Sequence, residues 1–459
     1  MVAGAFAGLR TFTSCQSPQP APDPALLAQG LGPLKPDPKK ILDLPAGFAY
    51  TIISKTGAPM ADGLRVPSAP DGMAAFPGPD GLTLLVRNHE LSLRTKPAAT
   101  APLTPAKEGG FGDNFQLLSP AMKARMYDAG GASGRPCMGG TTTMVFDTRT
   151  QKMVREFLSL GGTLRNCAGG PTPWGSWVTC EEGVDRKGTH CAQDHGYCFE
   201  VPATAEPELA QPVPLKAMGR FNHEAVAVDA DRGHVYETED RMDGLLYRFT
   251  PNTPGKLAVG GRLQALALQD ARKLDLRNGG KEPALAVGGR LPVKWIDLDQ
   301  VESPKDDLRT RGYKAGAVRF ARGEGMWYAR GMVYFACTAG GSALRGQIWR
   351  YHPGSDAATG ELELFIEPNH RMVMDMCDNI TLAPWGDLIL CEDGVGDQFL
   401  LGVTPEGKVY PFARNAQGTS EFAGATFSPD ATTLFVNIQR PGLTLAVTGP
   451  WPQAAAPKS

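Results

Sequence analysis

Residues 173–183 read PWGSWVTCEEG, and residues 384–394 read PWGDLILCEDG. Each is a turn built on Pro and Gly, then an apolar run, then paired acids before another glycine. Two matches so far apart point to an internal repeat, and repeats decide how a chain of 459 residues folds. Relaxing the pattern to an apolar strand, a turn rich in Pro, Asp or Gly, and a second strand ending in polar residues finds further copies. They are AAFPGPDGLTLLVRNHE, EAVAVDADRGHVYETED, GMWYARGMVYFACT and GATFSPDATTLFVNIQ. Outer strands of related form follow most of them, among them GYCFEVP, GLLYRFTP and GQIWRYHP. With 55 Gly and 39 Pro, turns are frequent and long helices few. Six antiparallel sheets set in a circle leave few open edges, so the expectation is an all-β chain forming a six-bladed β-propeller, with five or seven blades as open alternatives. Residues 41–459 are expected to form that one domain. The intervals 93–140 and 251–316 are expected as insertions on its faces, with short helices such as QLLSPAMKARMYD.

In a propeller the innermost strand of each blade leaves one face, and its hairpin partner returns there. The start of the first strand and the end of the second are therefore neighbours around the axis. At the starts stand Asp71, Cys167, Glu224, Glu324, Asp378 and Glu421; at the ends stand Glu90, Glu181 with Glu182, Glu239 with Asp240, and Glu392 with Asp393. Carboxylates converging in this way raise one another's pKa unless multivalent cations sit among them. Oxygen ligands suit Ca²⁺, and a thiolate such as Cys167 suits a softer or more highly charged transition metal. Any one of these acids alone reads equally well as a solvated turn residue, and Cys167 alone as a buried inert thiol. Their coincidence across the repeats favours metal. His89 and His223 fit hydrogen bonding around such a site better than ligation. Trp174 and Trp385 read as packing between blades.

The formal charge of −2, with no long basic run, gives no electrostatic basis for binding nucleic acid. No apolar window is long enough to cross a membrane as a helix. Residues 1–40 read as the back half of an export leader followed by a proline-rich linker, or alternatively as a disordered terminus. Nine cysteines leave at least one unpaired within the chain, and Cys191 with Cys198 could close a small disulfide loop.

The segments RNHE, NCAGGPTPWGSWVTCEEG, GRFNHEAVAVD, FARGEGMWY, DNITLAPWGDLILCEDG and FAGATFSPDATTLFVNIQRPG resemble the PhoX-type alkaline phosphatases, in order, across residues 84–442. The resemblance implies a metal-dependent phosphomonoesterase, a monomer exported to the periplasm or beyond by the twin-arginine route. It also implies an axial site with two ferric ions and two or three calcium ions. Carried over by motif, Cys167 would ligate iron, and Glu90, Glu182 and Glu224 would divide between iron and calcium. Glu324 would bind calcium, Asp378 and Asp393 would be further ligands, and Arg322 would clasp the phosphate. The substrate would be a small phosphomonoester, and its identity is open because this chain is shorter than the better-known members. No G-x-S-x-G serine elbow occurs. Two rival readings remain: a calcium-dependent lactonase or phosphodiesterase on a propeller, and a non-catalytic propeller that binds a ligand.

Overall fold

The computed structural model describes residues 21–92, 117–130, 137–188, 190–272, 274–280, 282–356 and 358–453. Residues 1–20 of the expected leader and linker at 1–40, with Cys15, and residues 93–116 and 131–136 of the interval 93–140 lie outside the described residues. The fold is all-β, and its few helices are short, such as Pro120–Ala124 and Leu308–Lys314.

The repeat that opens the sequence makes the same turn twice. Thr172 N–H donates to Ser176 O (2.8 Å) and Gly175 N–H to Thr172 O (3.3 Å); Ala383 N–H donates to Asp387 O (2.8 Å) and Gly386 N–H to Ala383 O (2.9 Å). Gly175 and Gly386 have φ of 84° and 110°, which a side chain would resist. Beyond the second turn the strand Leu388–Glu392 alternates: Leu388 and Leu390 pack toward one neighbouring sheet, Ile389 and Cys391 toward the other. Such strands, apolar on both faces, place the core between adjacent sheets.

Innermost strands Pro70–Pro77, Asn166–Pro171, His223–Val228, Gly323–Ala329, Cys377–Leu382 and Phe422–Phe427 contact one another in sequence order, and the last touches the first, closing a ring. Each pairs antiparallel with the strand that follows it. The arrangement is propeller-like, but the expectation of six separate sheets needs correction. Among the described residues, hydrogen bonding gives four separate sheets and one of nine strands. The cause lies in the interval 251–316, read from sequence as a face insertion. Its strand Arg290–Asp297 pairs with Gly261–Leu268 on one side and Thr359–Ile366 on the other. This covers two outer edges that would otherwise be open, and fuses two sets of strands into one sheet.

Both ends of the chain build the sheet that closes the circle, since Ala49–Lys55 pairs with Leu443–Thr448. Leu34–Lys35 and Leu42–Pro45 add to the outer edge of the Val409–Asn415 strand. The suggested Cys191–Cys198 link is also corrected. Cys198 Sγ lies 3.6 Å from Cys180 Sγ, and Cys191 groups with Cys137 instead. Trp385 packs against Phe427 and Trp451 as expected, whereas Trp174 is 37 % exposed and donates to Glu200 (2.6 Å).

Candidate metal centre

Every innermost hairpin carries a register shift near its start: between Pro70 and Met73, Asn166 and Gly169, His223 and Val226, Gly323 and Met326, Cys377 and Ile380 and, one residue further along, Ala423 and Thr426. A bulge bends its strand and re-aims the side chains within it. The residue just inside each of the first five is Asp71, Cys167, Glu224, Glu324 or Asp378. In the sixth hairpin Phe422 pairs with Ile438 as Pro70 pairs with His89, so Ala423 holds the equivalent place.

A second set of residues follows the partner strands and is tied to the first by equivalent backbone bonds. Glu90 N–H donates to Ala69 O (2.9 Å), Glu182 to Arg165 O (2.9 Å), Asp240 to Asn222 O (3.2 Å), Thr338 to Arg322 O (2.9 Å), Asp393 to Met376 O (2.9 Å) and Gln439 to Glu421 O (3.3 Å). In each acidic pair the two carboxyls divide the work. Glu181 accepts from Leu164 and Gly196 N–H (both 2.8 Å), Glu239 from the Tyr247 hydroxyl (2.8 Å), and Glu392 from Asp375 N–H (2.7 Å), so all three secure local structure. Glu182, Asp240 and Asp393 turn to the hub.

Donor atoms of Asp71, Glu90 and Cys167 lie within 4.8 Å of one another; so do those of Cys167, Glu182 and Glu224, and of Glu224, Glu324 and Asp378. The three groups overlap and form one chain of donors around the axis. Asp393 joins it through its interactions with Glu421, Arg322 and Glu90. Six of the seven metal-ligand positions expected from sequence stand in these three groups. His89 and His223 are not among them: His89 bonds Ser68 O (3.0 Å) and Thr142 Oγ1 (2.9 Å), and His223 lies 3.3 Å from Cys198 Sγ.

Burial, reinforced by neighbouring carboxyls, pushes Asp71, Glu224, Glu324 and Glu421 well above the ordinary carboxylate range. The same causes push Glu182 up to about 8 and Asp378 to about 7, and raise the Cys167 thiol. Two guanidiniums balance only part of this. Arg322 is fixed through Nε to Asp240 Oδ1 (2.8 Å), with Nη2 2.7 Å from Glu324 Oε1. Arg165, which sequence reasoning missed, donates to Glu90 Oε1 (Nε, 3.1 Å; Nη2, 3.0 Å) and to Glu182 Oε2, which also accepts from the Cys167 thiol (3.0 Å). The repeat held the signal, because both arginines stand two residues before a hub donor, in RNC and RGE.

A family model described as alkaline phosphatase PhoX matches residues 29–442. The chain belongs to the PhoX alkaline phosphatase family. Its activity is accordingly phosphomonoester hydrolysis, and metal dependence comes with the family. Among solved structures, Pseudomonas fluorescens PhoX in complex with vanadate, a transition-state analogue, superposes with a TM-score of 0.62 at 19 % identity, over 89 % of this chain and 96 % of that one. This shows a shared fold. A gluconolactonase from Xanthomonas campestris (TM-score 0.41, 12 % identity, 91 % of this chain and 98 % of that one) and a luciferin-regenerating enzyme (0.41, 9 %, 89 % and 98 %) are more distant. No curated protein matched the sequence.

For a PhoX-family hub, the close approach of the innermost strands is a local demand on sequence. A Cβ on Gly72 would come 2.6 Å from Ala168 Cα, and one on Gly325 would come 2.7 Å from Asn379 Cα. The residue after each hub position is accordingly small or locally bonded: Gly72, Ala168, Ala225, Gly325, Asn379 and Gly424. A cavity of about 920 Å³ lies elsewhere, between Leu27, Met372, Phe399 and Tyr410, and none of the hub donors lines it.

Proposed function

We propose that the hub holds the ferric and calcium ions of a PhoX-type site and that Arg322 receives the phosphate of a small phosphomonoester. The observation that carries this reading is the equivalent placement of Asp71, Cys167, Glu224, Glu324 and Asp378 in successive bulges, beside Arg322. The donor set fits such ions: oxygens dominate, as calcium requires, and one thiolate favours iron. Cys167 is assigned to iron, Glu90, Glu182 and Glu224 to iron and calcium between them, and Glu324 to calcium, with Asp378 and Asp393 as further ligands. When bound, cations of this charge acidify water and offset the charge of the transferring phosphoryl group.

The chain's own residues position and balance. Arg322 has its Nε and Nη2 committed to Asp240 and Glu324, which orients the Nη1 edge as the donor for a phosphate oxygen. Arg165 spans Glu90 and Glu182 and holds both carboxyls in place beside the Cys167 sulfur. The nine-stranded sheet carries two of the six innermost hairpins, and we assign residues 41–459 to one domain. Family membership supports export, and we assign the twin-arginine route and a monomer on that basis.

The test is elemental analysis and a visible spectrum of protein purified in air, with hydrolysis of p-nitrophenyl phosphate assayed alongside. Iron and calcium should co-purify, and Cys167→Ala should lose both the thiolate–iron absorption and the activity. Calcium without iron, with Cys167→Ala fully active, would return the calcium-dependent hydrolase reading; fully loaded protein inert on every phosphomonoester would return the non-catalytic one.

A further inference from the structure

A separate group of metal-type donors lies behind the hub. Asp128 and Cys137 come from the loop that precedes the Gly139–Asp147 strand; Cys191 and His195 come from the loop before Cys198–Pro202. All four are buried, none more than 1 % exposed, and one donor atom from each lies within 4.8 Å of the others. His195 Nε2 stands 3.3 Å from Asp128 Oδ2 and 3.4 Å from Cys137 Sγ. A tetrahedral ion bound at about 2.0–2.3 Å spaces its ligands by about 3.3–3.8 Å, which these separations match.

The surroundings aim the imidazole. Its Nδ1 lies 2.6 Å from Glu181 Oε1, and Glu181 is itself fixed by the N–H groups of Leu164 (2.8 Å) and Gly196 (2.8 Å). With Nδ1–H donated to that carboxylate, Nε2 is the ring nitrogen aimed at Asp128 and the two sulfurs, and it takes the place of a ligand once its proton is lost, as in carboxylate–histidine–metal triads. Asp128 is held equally firmly: Oδ2 accepts from Ala192 and Gln193 N–H (2.7 and 2.9 Å), and Oδ1 from Gly130 N–H (2.8 Å). Leu164 closes an apolar wall over both cysteines. Two sulfurs and a ring nitrogen are poor ligands for calcium and good ones for a borderline divalent ion.

We propose that Asp128, Cys137, Cys191 and His195 form a structural zinc site. Binding displaces the thiol protons and the Nε2 proton to solvent, leaving two thiolates, one carboxylate and a neutral imidazole around the cation. The ion pins the two loops to each other directly behind the hub: Glu181 faces the zinc site while Glu182 faces the hub, and Leu164 covers the cysteines while Arg165 spans Glu90 and Glu182. The site serves stability, and the proposal does not depend on the catalytic reading.

The experiment uses the full chain, purified without chelator and reconstituted with zinc under reducing conditions. Wild type and Cys167→Ala should each retain about one zinc per chain through dialysis, and the Cys137→Ser/Cys191→Ser double variant should retain none. Cobalt in place of zinc should give thiolate charge-transfer absorption in wild type that the double variant lacks. Peptide mapping of wild type guards against a double variant that fails to fold, and it should find Cys137 and Cys191 as unlinked thiols. Any of three results overturns the site: no zinc in wild type, a Cys137–Cys191 disulfide, or zinc that leaves with Cys167→Ala but stays in the double variant.

Discussion

Arg165 and Arg322 hold equivalent places in two hairpins, both with left-handed backbone, φ 45° and 55°, and each bridges two hub carboxyls. Family resemblance pointed to Arg322, while Arg165 was hidden beside the more conspicuous cysteine of RNCAGG. Arg165→Ala would remove the guanidinium that holds Glu90 and Glu182 in place, so metal retention and kcat/KM should both fall, the latter at least about tenfold. Arg165→Lys keeps the charge and loses the planar fork, and should fall between the two. Dialysis against a weak chelator followed by steady-state kinetics reads both effects; an alanine variant indistinguishable from wild type would remove Arg165 from the site. Among the acids, the strand-end pattern located each pair without saying which member faced the hub, and only the family resemblance singled out Glu182 and Asp393. That choice depends on whether a nearby N–H or hydroxyl claims the carboxyl, as Tyr247 claims Glu239.

At the scale of the element, the hairpins were legible because Pro, Gly and Asp mark their turns and apolar residues fill both faces of their strands. The bulges were not, since one extra residue per strand leaves no compositional trace. They explain why Glu421, read from sequence as the sixth inward acid, instead matches Arg165 and Arg322 in position, while Ala423 fills the donor slot. They also make the ring intolerant of added bulk. Gly325→Ala would drive a methyl group against the Asn379 backbone and should cost about 1–3 kcal/mol, with loss of hub metal, because Glu324 and Asp378 flank the strain. Gly279 has open space around it, and Gly279→Ala should be neutral by comparison. Urea unfolding with metal analysis on both variants would separate them; equal stability would show that the innermost strands have room to move.

Over the whole molecule, circular repetition could be read from six related segments, but the fusion of two sheets could not, because RLPVKWID at 290–297 belongs to no repeat and its second partner, Thr359–Ile366, is remote in sequence. What the repeat does produce is a concentration of charge that no local pattern reveals, and its consequence is global. In the cation-free protein, Glu182 at about 8 and Asp378 at about 7 sit above their unfolded values, as do Asp71, Glu224 and Glu324. Between about pH 4 and pH 8 the folded state therefore binds more protons than the unfolded one, and stability falls as pH rises. Each unit of displacement carries on the order of 1.4 kcal/mol for its group. Bound cations require the same groups ionised, so the loaded protein must respond in the opposite direction and weaken as acid displaces its metals. Thermal unfolding of chelated and metal-loaded protein from about pH 5 to about pH 9 should show a gap that widens toward alkaline pH. A constant gap would mean that these carboxyls are not the groups that hold the metals.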